Sequence, residues 1–277
     1  MQTHSISSPL VSVVIGAYNA AGSLSATLDS VLAQSVTELE CIVVDDASQD
    51  GTSDCVRTVA ARDPRVRLVS LESNGGLTRA LVRGVEEARG IWLARIDAGD
   101  TWHPEKLRRQ FAFLDQHSDV GLVGCRSEDA NIQTGVVLRK EKPECHDKIM
   151  DSIWHGCPFI HSTVLARLDL VRDCGNYDPS FRYAQDYDLY FRLLQMTRGH
   201  NLPEVLCQRT THGVSALSYA HWKEQLGCSL RIRLKYLRTF HRPWSDYFCL
   251  LPDLAKLAVP AGVKGLKQRL RGDAHAR

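Results

Sequence analysis

"LECIVVDD", Leu39–Asp46, is the stretch on which the fold turns. Four apolar residues, Cys41–Val44, run without alternation and are rich in β-branched side chains. The run is too short for a helix and reads as a strand buried on both faces, the kind found in parallel sheets covered by helices. Three similar runs surround it: "LVSVVIGA" at Leu10–Ala17, "VRLVS" at Val66–Ser70 and "IWLARID" at Ile91–Asp97. Between them lie helical patterns, one on Leu24, Leu28, Val31 and Leu32, one near Ser53–Arg62 and one near Thr78–Arg89. Strand and helix in alternation predict βαβ units with right-handed crossovers, an α/β fold with a Rossmann-like, mainly parallel central sheet and helices on both faces.

In such sheets ligands collect beyond the carboxyl ends of the strands. The polar residues gather there: Tyr18 and Asn19 after the first strand, Asp45 and Asp46 after the second, Asn74 after the third, Asp97 and Asp100 after the fourth. One acidic strand end means little; four polar ends predict a site. After Val120 the pattern changes. "VGLVGC" reads as a further strand, "RSEDANIQTGVVLRK" as a hairpin turning at Gly135, and "PEKLRRQFAFLDQHS" before them as a helix with Pro104 in its first turn. A loop-rich stretch, a helix over "DYDLYFRLLQM" and a strand near "PEVLCQRT" follow. The expected organisation is one domain over 1–216, with a first half at about 9–118 and a second half at about 119–216. A basic-amphipathic helical extension over 217–277 completes it.

Composition narrows the function. Of 277 residues, 44% are hydrophobic and 24% charged, which suits a folded core rather than bulk disorder. Thirty-four basic residues against 32 acidic ones give a net charge of +2, far from the basic stripe of a general nucleic-acid binder. Nine scattered cysteines without a CxxC pair argue against a zinc site or disulfide framework and for a reducing cytosol. No signal-peptide pattern opens the chain, and no run of about 18 apolar residues occurs. The expected location is cytoplasmic.

The paired acids of "ARIDAGD", Ala94–Asp100, admit two readings. Carboxylates on one loop can share a hard divalent cation that is also held by substrate phosphates. Alternatively, Asp100 caps the helix near Pro104 and Asp97 takes local backbone bonds. "VVDDASQDGT" likewise reads as a turn and helix start, or as a carboxylate that accepts a bond from a nucleobase or ribose hydroxyl.

Taken together, "PLVSVVIGAYNAAGSLSATLDSVLAQS", "ECIVVDDASQDGT", "NGGLTRALVRGVEEARG" and "LARIDAGDTWHPEKLRRQ" resemble the family 2 glycosyltransferases, which have the GT-A fold. "FIHSTVLARLDLVRDCGNYDPSFRYAQDYDLYFRLL" resembles the acceptor-side half of the same family. The resemblance spans roughly residues 9–216 and implies an inverting transfer from a nucleotide sugar to an acceptor hydroxyl. It implies a donor-binding set of Ala17, Tyr18, Asn19, Asp45, Asp46, Asn74, Gly76, Arg95 and Asp97, with Tyr18 packing on the base and Asp46 bonding it. Asp186 matches the general base. Mn²⁺ or Mg²⁺ on the diphosphate is implied, held by Asp97, Asp100 and His212. Three departures stand out: Gly99 where the family usually has the metal-ligating acid, Val82 for the usual Asn, and Gln185 for the usual Glu. Either Asp97 and Asp100 hold the cation between them, or metal use is weak or absent. His155 and His161 read as loop or packing residues, or as residues facing the acceptor.

The implied donor is a UDP- or dTDP-sugar and the implied acceptor a glycan or lipid-linked glycan of the bacterial surface, in polysaccharide or lipopolysaccharide synthesis. Two rivals are weighed. A dinucleotide-dependent oxidoreductase lacks its G-x-G-x-x-G, since "IGAYNAAGS" follows the first strand. A catalytically degenerate nucleotide-sugar binder is favoured only by Gly99. In the extension, Leu250, Leu254 and Leu257 form a stripe near Lys256, Lys264, Lys267, Arg269 and Arg271, broken by Pro252 and Pro260. That pattern fits a helix packed on protein, or a peripheral contact with an anionic membrane on its inner face.

Overall fold

The computed structural model describes residues 9–211, 221–241 and 243–258. By chain contacts it divides between Ala216 and Leu217 into two compact units. The first is built on one nine-stranded sheet of order β3-β2-β1-β4-β8-β6-β9-β5, with β7 paired to β6. Its first four strands are β1 (Val11–Ala17), β2 (Leu39–Asp45), β3 (Val66–Ser70) and β4 (Trp92–Arg95). All three pairings among them are parallel. Helices α1 (Leu24–Leu32), α2 (Thr52–Ala60) and α3 (Leu77–Glu87) make the crossovers.

Burial follows the sequence pattern. Every residue of β2 is buried, and only Gly16 of β1 is partly open. Val11, Val13 and Ile15 share one core with Leu24, Leu28, Val31, Val56 and Val59 of α1 and α2. On the other face α3 lies so close to β1 that a Cβ at Gly84 would stand 2.3 Å from Val14 Cγ1, which explains a glycine mid-helix despite its propensity cost.

Beyond β4 the sheet becomes mixed. Strands β5 (Thr101–Trp102), β6 (Val120–Asn131), β7 (Val137–Lys140), β8 (Leu165–Arg167) and β9 (Arg198–Thr211) follow. β8 is antiparallel to both β4 and β6, whereas β6 and β9 run parallel. The sheet is thus all parallel only over its first four strands, and beyond them one long parallel pair, β6 with β9, stands among antiparallel ones. The β6–β7 hairpin turns through Gly135, whose φ is +70°. Helices α4 (Lys106–Leu114), α5 (His146–Ser152), α6 (Leu168–Asp173) and α7 (Gln185–Leu193) complete this unit. β4 ends two residues before Asp97, which places that acid in a turn rather than in the strand.

The second unit contains α8 (Trp222–Thr239), a 3₁₀ segment at Trp244–Leu250 and α9 (Leu251–Ala258). Leu250 is buried, Leu254 exposed and Leu257 half-buried, so the expected leucine stripe does not lie on one face. Lys264, Lys267, Arg269 and Arg271 lie outside the described residues. Among the described residues no helix is long and apolar enough to cross a membrane.

Candidate active site

The turns after β1, β2 and β3 are sewn together by backbone donors and short polar side chains. The Asn19 N–H donates to Ser48 Oγ at 2.9 Å, and the Gln49 N–H donates back to Asn19 Oδ1 at 2.9 Å. Asp45 is buried; it accepts the Ser48 N–H at 3.0 Å and the Ser53 hydroxyl. Asp46 is buried as well, and its two oxygens accept the N–H groups of Gly75 and Gly76 at 2.8 and 2.7 Å. Asn74 Nδ2 donates to the Asp46 carbonyl at 3.3 Å, and the Asp46 N–H donates to the Ala17 carbonyl. The structure therefore brings Ala17, Tyr18, Asn19, Asp45, Asp46, Asn74 and Gly76 to one rim. Tyr18 stands half exposed on it, an aromatic face open to a ligand.

The turn after β4 is held from three distant elements. Thr27 on α1 accepts the Gly99 N–H at 2.8 Å and donates to the Asp100 carbonyl at 2.8 Å. On β9 the Thr210 hydroxyl donates to the Gly99 carbonyl at 2.7 Å, and its N–H donates to Asp100 Oδ1 at 3.0 Å. Ser162, in the 3₁₀ segment His161–Thr163, places one hydroxyl 3.1 Å from Asp97 Oδ2 and 2.5 Å from Asp100 Oδ2. Gly99 has φ +101°, a conformation that disfavours any side chain. Glycine in place of the acid of the family pattern suits the backbone of this turn.

The two acids differ in state. The Asp100 side chain is 6% exposed, and burial together with the Asp97 charge pushes its carboxyl up to about 6. Asp97 keeps 41% of its side-chain surface open. Its crowded surroundings would raise it, but the ion pair with the fully buried Arg95 guanidinium outweighs them and holds it well below the usual carboxylate range.

The two acids of the expected cation site thus stand on one turn in different surroundings. Each Asp100 oxygen accepts one hydrogen bond, Oδ2 from the Ser162 hydroxyl and Oδ1 from the Thr210 N–H, so Asp100 locks the turn. His212 lies outside the described residues. No group of three or more His, Cys, Asp or Glu that could hold a metal occurs among the described residues. What they offer is one ionised, half-open carboxylate, Asp97. That fits a hard cation held mainly by substrate phosphates and water, and does not fit a protein cage.

Asp186 sits in the first turn of α7, just after Ala184 in a left-handed conformation with φ +57°. Burial raises its pKa above the ordinary aspartate value, partly offset by the Tyr187 N–H and the Arg95 charge. Cys157 Sγ lies 3.7 Å from its Oδ2. His161 Nε2 is 2.9 Å from the Tyr177 hydroxyl, and its ring packs edge-on to Tyr190. Burial, with the nearby Arg95 charge, holds His161 well below the usual histidine range, so it is a neutral member of this cluster. The Tyr190 hydroxyl is buried without a hydrogen-bond partner among the described residues. His155 is exposed. Sequence reading missed Thr27, Cys157, Ser162, Tyr177 and Thr210, because each joins the site through a contact remote in sequence.

The glycosyl transferase family 2 profile matches residues 12–167, more than half of the chain. A putative glycosyltransferase of Bacillus subtilis, EpsE, is 29% identical over 267 residues, covering 93% of this chain and 92% of EpsE. Among solved structures, TarS of S. aureus in complex with UDP-GlcNAc superposes with TM-score 0.63 at 21% identity, covering 92% of this chain and 83% of that one. The mannosyltransferase PcManGT from Pyrobaculum calidifontis, in complex with GDP-Man and Mn²⁺, gives 0.66 at 20% identity, covering 97% of this chain and 81% of its own. At these identities the two structures speak for the fold, which is GT-A.

Proposed function

This chain belongs to glycosyl transferase family 2 and is a glycosyltransferase, and from that premise we propose that it transfers a sugar with inversion from a nucleoside diphosphate to an acceptor hydroxyl, with Asp186 as general base. The observation that carries the reading is a half-buried base and a donor-side acid near enough to feel one arginine in common. Asp186 feels the charges of both Arg95 and Asp97, while its own carboxyl is held above the ordinary value by burial. A base raised toward the working pH takes a proton more effectively than a free aspartate.

The acceptor hydroxyl gives its proton to Asp186 as its oxygen bonds to the anomeric carbon. The bond from that carbon to the diphosphate breaks on the opposite face, and the pair of electrons leaves with the nucleoside diphosphate. Arg95 fixes Asp97 in its ionised form. Asp97 would hold Mn²⁺ or Mg²⁺, which when bound neutralises charge on the leaving diphosphate. Tyr18 offers its ring to the base. Asp46 shapes the Gly75–Gly76 turn and retains lone pairs for a base or ribose donor.

The donor is a UDP- or dTDP-sugar in this reading, in keeping with the UDP-GlcNAc bound by TarS; the Mn²⁺ of PcManGT supports the cation. The acceptor is a glycan or lipid-linked glycan in bacterial surface polysaccharide synthesis, met in the cytoplasm or at the inner face of the membrane. Replacing Asp186 with Asn tests the reading, because the amide keeps the shape and cannot take the proton. Turnover should fall by about 10²-fold or more with donor affinity unchanged. Native turnover in that variant would exclude Asp186 as the base.

A further inference from the structure

The C-terminal helical unit buries one ion-pair centre and leaves a group of apolar side chains exposed. On α9 the inward residue is Asp253, ion-paired with Arg233 of α8, itself 1% exposed, and with Lys256. Arg233 also donates to the Cys249 carbonyl at 3.3 Å, so the 3₁₀ segment is tied to the same centre. Leu250 is buried beside it in sequence. The opposite side carries Trp244, Phe248, Leu251 and Leu254, which are 85, 69, 54 and 49% exposed. Phe248, Leu251 and Leu254 follow one another at a spacing of three, and Trp244 stands one 3₁₀ turn and one residue before them, so the four form a contiguous exposed apolar patch along the 3₁₀ segment and α9. The Tyr247 ring lies 5.2 Å from that of Trp244.

Charge is divided just as sharply. Residues 217–277 carry twelve Lys and Arg against four Asp and Glu, whereas residues 1–216 carry twenty-two against twenty-eight. Of those four acids Asp253 is already paired inside the unit, and Glu224 pairs with His221. On α8, Arg231, Lys235 and Arg238 are exposed at helical spacing.

We propose that the Trp244–Phe248–Leu251–Leu254 face docks on an anionic phospholipid bilayer. Single exposed apolar residues are ordinary, but an aromatic and leucine face of this extent marks a binding surface. Tryptophan and tyrosine rings suit the headgroup level, where one part of the ring is dry and the other wet. The cationic surplus selects a negative surface. A second copy of the chain is the poorer occupant, because it would bring the same surplus against itself. The inference stands whichever nucleotide sugar the enzyme uses.

The test is co-sedimentation of the full chain with vesicles of phosphatidylcholine, with and without phosphatidylglycerol. Native protein should pellet with the phosphatidylglycerol vesicles, less so as salt rises, and scarcely with phosphatidylcholine alone. Trp244→Ala/Phe248→Ala should lower the partition coefficient at least about ten-fold at an unchanged melting temperature, since both side chains are exposed. Equal binding by variant and native protein overturns the proposal, as does native protein that stays in the supernatant with both vesicles. So does self-association in sedimentation velocity that the variant loses while neither protein binds vesicles.

Discussion

The two ends of the parallel strands are built to opposite principles. At the amino ends a closed network ties Ser12, Glu40, Arg67 and Glu87 together. Glu40 accepts the Ser12 hydroxyl and the Arg89 N–H, both at 2.7 Å, and pairs with Arg67 at 2.8 Å. Arg67 in turn pairs with Glu87 at 2.8 Å. At the carboxyl ends each strand is followed by a residue with positive φ: Asn19 after β1, Ala47 after β2, Gly76 after β3 and Gly99 after β4. There two acids crowd one serine hydroxyl, and a third, Asp186, follows a left-handed alanine. Backbone strain and shifted carboxyls collect at one end of the sheet, where the chemistry is proposed. The other end holds the sheet together.

The comparison can be broken most decisively by exchanging stability for activity. Asp186→Asn should cost about 10²-fold in turnover while its melting temperature holds or rises, because the burial that raises Asp186 opposes its charge. Glu40→Gln should do the reverse, losing about 3 kcal/mol in urea unfolding with the remaining turnover intact, since it strips a nearly buried charge partner from Arg67. If both variants lost the same property, the two ends would not be distinct.

Ser162→Ala is a smaller probe. It removes the hydroxyl shared by Asp97 and Asp100 and should cost about 1–2 kcal/mol of stability, with a weaker donor KM. A variant with native KM and native stability would show the hydroxyl to be incidental. The pH profile sharpens the point further. Asp186 is raised, so the carboxylate that must accept the proton is lost on acidification sooner than an ordinary aspartate. The acidic limb of kcat/KM should therefore fall above the usual aspartate value of about 3.9. A limb at or below that value contradicts the burial of the base. Smallest of all, Ala47→Gly should leave stability unchanged or raise it by up to about 1 kcal/mol, against the usual entropic cost of glycine, because φ at that position is +58°. A clear loss in urea unfolding would mean that the turn carries no strain.

Much of this was legible in the residues. Short apolar runs rich in β-branched residues marked β1 and β2, and polar residues at the ends of the strands marked the rim. The boundary of β4 was not legible, since "IWLARID" continues the apolar pattern past the point where pairing stops at Arg95. Nor was the leucine stripe of the extension. Helical period placed Leu250, Leu254 and Leu257 together, but the 3₁₀ turn at Trp244–Leu250 winds about three residues per turn, and Leu250 falls inward while Leu254 falls outward.

By itself the sequence determined what depends on local pattern: the α/β alternation, the family, and the acids standing at the strand ends. Only tertiary structure decided what each acid does. Asp97 and Asp100 are alike in sequence, yet Ser162, Thr210 and Thr27 arrive from remote segments to bury and lock one of them, while Arg95 holds the other ionised and half open. Ionisation and exposure are set by what surrounds a carboxylate in space, and no spacing along the chain encodes that.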